Sequence, residues 1–353
     1  MKRPFTTPSC RRALLLPLAG AASIAAALFL GGAAPANATP AGSNGLISYR
    51  VYFNADHTEG ALFVANPDGS NSTQITFPGA GNLDTNQNWS PSGQQLVYEH
   101  DTADGSSSIW TVGALGANPQ EIVPCPGPGV LVNCAGVSNP SWSPNGQWIA
   151  FELVLGPFDP SGNPADDSIW AVRPNGSGLR QITHRTPSGA SSDQNPQWSP
   201  DSSRIAFQRN DAPHFNAEVW TADSTTGGDL VRVSPPGIRS GDHPDYSPDG
   251  RWIMFRSDND VPGSAKLMIA HPDGTGLRIL LDGANNRRFF SSSFSPDGTA
   301  FTVGMAPGVG PDGNADIFVG HFDTHERVSS LTNITHSDIW ESSPRWGTHA
   351  LLP

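Results

Sequence analysis

The stretch Asp245-Tyr246-Ser247-Pro248-Asp249-Gly250 decides the fold, because the chain repeats it. Its relatives read Asn88-Trp89-Ser90-Pro91-Ser92-Gly93, Ser141-Trp142-Ser143-Pro144-Asn145-Gly146, Gln197-Trp198-Ser199-Pro200-Asp201-Ser202 and Ser293-Phe294-Ser295-Pro296-Asp297-Gly298. A last fragment stands at Arg345-Trp346-Gly347. Successive aromatic positions lie 53, 56, 48, 48 and 52 residues apart. Self-similarity at a period near 50 marks a repeat architecture.

The repeat extends beyond this segment. An apolar run follows each of the first five, as in Leu96-Val97-Tyr98, Ile205-Ala206-Phe207 and Ile253-Met254-Phe255. After a polar loop comes a second run, such as Ile109-Trp110, Ile169-Trp170 or Val219-Trp220. Turns such as Pro174-Asn175-Gly176 and Pro272-Asp273-Gly274 lead to a last strand, as in Arg180-Gln181-Ile182-Thr183. Short β-branched and aromatic runs between Gly, Pro, Asn and Asp clusters read as strands and tight turns. Four strands per period make one blade of a β-propeller. The expected fold class is therefore all-β, a six-bladed β-propeller of four-stranded blades. Residues 46–76 supply three strands with no Trp-Ser-Pro segment before them, and the spare strand sits at 343–347. The C-terminal strand is expected to complete blade 1, closing the ring and removing an open sheet edge.

These motifs resemble the propeller repeat of the TolB-like family, a WD40-like repeat, over roughly residues 45–347. The resemblance implies the propeller superfamily and no particular activity. Here the propeller is expected to follow the leader directly, without the α/β domain that precedes it in TolB. Similar repeats occur in secreted sugar lyases and in the non-catalytic domain of prolyl-oligopeptidase-like peptidases.

Residues 1–38 read as a cleaved signal peptide. Lys2, Arg3, Arg11 and Arg12 form a basic start, residues 13–30 are apolar and small, and Ala36-Asn37-Ala38 is a small-x-small cleavage site. Residues 39–44 read as a linker, 45–347 as the propeller and 348–353 as a tail. Loss of the four leader bases takes the net charge from −12 to −16. Such a surface repels nucleic-acid phosphates and anionic lipid and suits cations or basic partners. The expectation is a secreted monomer with no membrane span after leader removal. Cys125 and Cys134 lie in one Pro/Gly-rich loop, expected to be irregular, and in an exported chain they read as a disulfide.

Chain reversal at every turn puts the tight Pro-Asp-Gly turns on one face and the longer loops on the other, where variable loops on a rigid scaffold carry function. Asp84, Asp193 and Glu341 each stand five residues before a motif aromatic, and Asp242 stands four before Tyr246. The TolB-like repeat often has Asp at this place, and the four acids are expected to crowd the mouth of the central tunnel. They can cap turns, hold Ca²⁺ or another divalent cation through oxygen ligands, or shift one another's pKa for catalysis. His184, His243 and His336 fall in links on the same face. The most numerous tryptophans stand at repeat positions and read as core between sheets. There is no Gly-x-Ser-x-Gly elbow. The reading is a binding scaffold for a protein, peptide or glycan through an acidic loop face. The alternative is a polysaccharide-active enzyme, a lyase or glycosidase, with its site at the tunnel mouth.

Overall fold

Each Ser-Pro-x-Gly segment folds into the same hairpin in the computed structural model, which describes residues 41–158, 164–184, 191–211, 216–235, 243–257, 265–283, 287–306 and 314–353. The serine does most of the local work. In the third of the five complete copies Ser199 Oγ donates to Asp201 Oδ1 at 2.6 Å and accepts from the Arg204 N–H at 2.9 Å. Ser247 repeats both bonds with Asp249 and Trp252, at 2.6 and 2.9 Å. The Gly250 N–H closes the turn on the Ser247 carbonyl at 2.8 Å, and Gly250 itself sits at φ 72°. Only a residue without Cβ adopts that left-handed conformation at no steric cost, which explains the motif's final glycine.

The strands follow in chain order. Blade 1 holds β1 (Ile47–Tyr52), β2 (Gly60–Ala65) and β3 (Thr73–Gln74). Blade 2 holds β4 (Leu83–Trp89), β5 (Gln95–Asp101), β6 (Ser107–Gly113) and β7 (Gln120–Pro124), and blade 3 holds β8 (Cys134–Trp142), β9 (Ile149–Phe158), β10 (Pro164–Val172) and β11 (Arg180–Gln181). Blade 4 comprises β12 (Ser191–Trp198), β13 (Arg204–Asp211), β14 (Asn216–Asp223) and β15 (Val231–Arg232). Blade 5 comprises β16 (Asp245–Tyr246), β17 (Ile253–Ser257), β18 (Lys266–Ala270) and β19 (Arg278–Asp282). Blade 6 comprises β20 (Arg288–Phe294), β21 (Ala300–Ala306), β22 (Asp316–Phe322) and β23 (Val328–Asn333), and β24 (Glu341–Trp346) ends the series. Antiparallel pairing runs sequentially within each blade. A single parallel bridge, Gly60 to Leu83, joins blades 1 and 2.

β24 pairs antiparallel with β1, Ile47 opposite Trp346 and Val51 opposite Glu341, so the C-terminal strand completes blade 1 as expected. Trp346 Nε1 donates to the Gly45 carbonyl at 3.0 Å across the same closure.

Six apolar clusters fill the six blade–blade interfaces, each built round a motif aromatic: Trp89, Trp142, Trp198, Tyr246, Phe294 and Trp346. All six rings are buried. A buried ring of this size removes about 150–250 Å² from water and dominates the packing of its interface. Polar stitches run beside them. The residue before the aromatic reaches the next inner strand: Asn88 Oδ1 accepts from the Trp142 N–H at 2.9 Å, and Asp245 Oδ2 accepts from the Phe294 N–H at 2.8 Å. The second-run tryptophans Trp110, Trp170 and Trp220 are half-buried and pack at the edges of these clusters.

Two stretches are more regular than the sequence suggests. In blade 3 the pairing of β9 with β10 continues out to Phe158 opposite Pro164, because both strands keep an extended pattern well past the apolar core. Cys125 and Cys134 are bridged, and the loop between them holds a 3₁₀ turn at Gly129–Asn133 that buries Leu131. Among the described residues no helix is long and apolar enough to cross a membrane. Residues 1–40, which include the leader and most of the linker, lie outside the described residues.

Candidate binding site at the tunnel mouth

Five of the six inner strands carry a kink three residues before the aromatic. Asn86, Asn139, Asn195, His243 and Ser343 all have positive φ, between 50° and 56°. Register shifts bracket this position in β4, β8 and β12. Asn tolerates the left-handed region better than other residues with a Cβ, and an extra residue here forms a β-bulge that re-aims the side chains before it. The residues five before the aromatic therefore sit just beyond the bulge and pair directly with the second strand.

That cross-strand pair takes a different chemical form in different blades. In blade 4 Asp193 lies opposite Arg209, and the buried pair is bidentate at 2.7 and 2.7 Å. In blade 2 Asp84 lies opposite His100, whose Nδ1 is 2.6 Å from Asp84 Oδ1. The hydrogen bond to Asp84 raises the imidazole pKa above its ordinary value. In blade 1 Glu341 lies opposite Val51 and has no cation across from it. Burial pushes the Glu341 carboxyl up to about 7, and the nearby Asp316 adds to the shift. In blades 3 and 6 the pair is apolar, Val137 with Leu153 and Phe289 with Met305. Asp84 and Asp193 are thus each held by a partner of their own blade. Asp242 lies outside the described residues. Among the described residues no three His, Cys, Asp or Glu side chains group so as to hold a metal ion.

The three sequence-selected histidines part company. His184 and His336 are exposed. His243 turns both ring nitrogens inward, where neither finds a hydrogen-bond partner. Burial, then the charges of Arg345, Arg50 and Arg256, hold its pKa well below the usual imidazole range, so the ring is neutral.

A second ring was not anticipated from sequence. The residue after the aromatic end of the first apolar run is Glu99 in blade 2, Glu152 in blade 3, Gln208 in blade 4 and Arg256 in blade 5; Arg50 takes the matching place in blade 1. Their bonds run both within and between blades. The Asn139 N–H donates to Glu99 Oε2 at 3.0 Å, and Gln194 Nε2 donates to Glu152 Oε1 at 3.1 Å. Burial raises both glutamates above the ordinary carboxyl range, Glu99 further through its neighbour Asp101. Arg50 donates to Ser342 Oγ and Thr85 Oγ1, and Arg345 donates to the Ser292 carbonyl at 2.9 Å. The signal was present as the polar residue that ends each run, as in Val97-Tyr98-Glu99 and Met254-Phe255-Arg256.

Several buried polar atoms of the inner strands have no partner among the described residues: Gln87 Oε1, both His243 nitrogens, Ser291 Oγ and Glu341 Oε2. All lie two to five residues before a motif aromatic. A cleft of about 760 Å³ lies elsewhere, on the tight-turn face between blades 5 and 6. Its acids Asp249 and Asp297 are engaged by their own turns, so its chemistry is that of the hairpin motif.

The architecture has solved counterparts. TolB from Acinetobacter baumannii superposes with a TM-score of 0.63 at 16% identity, over 86% of this chain and 66% of that one. The fold is that of the TolB-like propellers. This chain spans about two thirds of that TolB's length. A putative TolB from Agrobacterium tumefaciens gives a TM-score of 0.56 at 18% identity, covering 87% of this chain and 100% of that one. An oligogalacturonate lyase in complex with manganese gives a TM-score of 0.50 at 12% identity, over 75% of this chain and 72% of the lyase. No family model and no curated protein matches the sequence. At these identities the TolB-like likeness concerns the fold alone, and function rests on the site.

Proposed function

We propose that this propeller is an extracytoplasmic binding scaffold that takes a protein, peptide or glycan ligand at the loop-face mouth of its tunnel. One observation carries the reading: the unpaired buried atoms of Gln87, His243, Ser291 and Glu341 gather on the inner strands. A buried polar atom without a partner costs about 1–3 kcal/mol, and a ligand that supplies the missing bonds recovers it. In this reading Asp193, His184 and His336 belong to the same mouth. The Cys125–Cys134 bridge fits an oxidising compartment, as does the leader read at residues 1–38. A divalent cation, if bound, would engage Glu341 rather than Asp84 or Asp193, whose carboxylates already have partners.

Glu341 favours a second reading as a polysaccharide lyase or glycosidase. A carboxyl pushed up to about 7 titrates where a general acid or base must work. Peptide and glycan arrays probed with the purified mature protein separate the two readings. The scaffold reading expects selective, lasting capture of one ligand class. Turnover of an arrayed polysaccharide with release of shorter sugars would replace it with the enzymatic one.

A further inference from the structure

A separate cleft of about 350 Å³ opens at the side of the ring, between blades 1 and 2. Apolar side chains form most of its wall, among them Phe77, Trp110 and Val112. Phe77 is 79% exposed, so the wall reaches solvent. Three polar groups meet the cleft from blade 2: Asp84, Tyr98 and His100. Asp84 is 2% exposed and fixes His100 through Nδ1 at 2.6 Å. In the neutral ring that bond makes Nδ1 the donor and leaves Nε2 as an acceptor. Neither Nε2 nor the Tyr98 hydroxyl makes a hydrogen bond among the described residues. His100 and Tyr98 thus offer one acceptor and one O–H donor beside an apolar wall, with Thr76 and Asn82 also in the lining.

We infer that this cleft binds a small, mainly apolar molecule bearing a hydroxyl group, which donates to His100 Nε2 and accepts from the Tyr98 hydroxyl. Such a hydroxyl satisfies both open groups at once. A carboxylate is disfavoured, because the buried Asp84 stands behind His100 and repels a second negative charge. The volume is at the lower end of the range for small-molecule sites, which limits the occupant to about one ring with a short substituent. Buried acid, oriented imidazole and cleft occur together in blade 2. In blade 4 the corresponding acid is locked to Arg209. The site is independent of any ligand at the tunnel mouth.

Phenol and benzyl alcohol are suitable probes, with benzoate as the charged comparator. Titration of the mature protein at alkaline pH, where the His100 ring is neutral, followed through the His100 ring resonances by NMR, should show saturable shifts with both alcohols and none with benzoate. Tyr98→Phe and His100→Gln should each weaken binding about fivefold or more, the loss of roughly one hydrogen bond. Unchanged melting of at least one variant separates lost binding from lost folding. Unmoved His100 resonances at millimolar probe, equal binding of benzoate, or full affinity in both variants would overturn the inference.

Discussion

One position, five residues before the motif aromatic, shows how neighbours set the state of a carboxylate. Asp193 faces a permanent cation, Asp84 a titratable one and Glu341 an apolar side chain. The pH behaviour of each follows. The His100 pKa is raised by its bond to Asp84, so the stabilisation is present in full below the ordinary imidazole value and is lost as pH rises through the raised one. In Asp84→Asn the His100 pKa should fall back toward about 6.5, as read by NMR titration. Glu341 behaves as an acid whose folded-state pKa is raised. Its carboxyl costs nothing below about pH 4.5 and destabilises increasingly as pH rises through about 7. Glu341→Gln should therefore leave the melting temperature unchanged near pH 4 and raise it at pH 8. A gain on the order of 1 kcal/mol is expected, well below the full shift because water partly screens the site.

The blade was legible in the sequence because its devices are local. Serine to aspartate two residues on, glycine closing the turn and an aromatic at the interface all lie within one short window; the tight turn and the core aromatic were read from the sequence, and the structure adds the bond from Ser247 to Asp249. The inner-strand acids were legible as positions and not as partners. Nothing in the spacing shows that Asp84 meets His100 while Asp193 meets Arg209, since those pairings depend on a bulge register. The ring of Glu99, Glu152 and Arg50 was hidden for a similar reason: part of its bonding joins residues from different blades. At this scale the Asp193–Arg209 pair offers a sharp test. Asp193→Ala leaves a guanidinium 5% exposed without its counter-charge. The expected loss is about 3–5 kcal/mol in denaturant unfolding. Ser247→Ala, which removes two hydrogen bonds of one partly exposed turn, should cost only about 1–2 kcal/mol.

The whole ring depends on its closure. β24 is the inner strand of blade 1, and Trp346 fills the interface with blade 6. Deleting residues 341–353 removes that strand, exposes the edge of β1 and empties one interface of its largest ring. The truncated protein should unfold over a broad range and self-associate, whereas a closed propeller unfolds in one cooperative transition; calorimetry with light scattering distinguishes them. Closure also supplies the proposed site with Glu341, which arrives on the closing strand. The most direct test takes the ligand captured on the arrays and measures its affinity by titration calorimetry for variants on each face. His243→Asn is the suitable loop-face change, since Asn fills the same left-handed position in blades 2, 3 and 4. Combined with Glu341→Gln it should weaken binding about tenfold or more, the loss of one to two hydrogen bonds. Glu326→Gln, in the cleft of the opposite face, should leave affinity unchanged. Full affinity in the loop-face variant, with loss in Glu326→Gln, would contradict the placement of the site at the tunnel mouth.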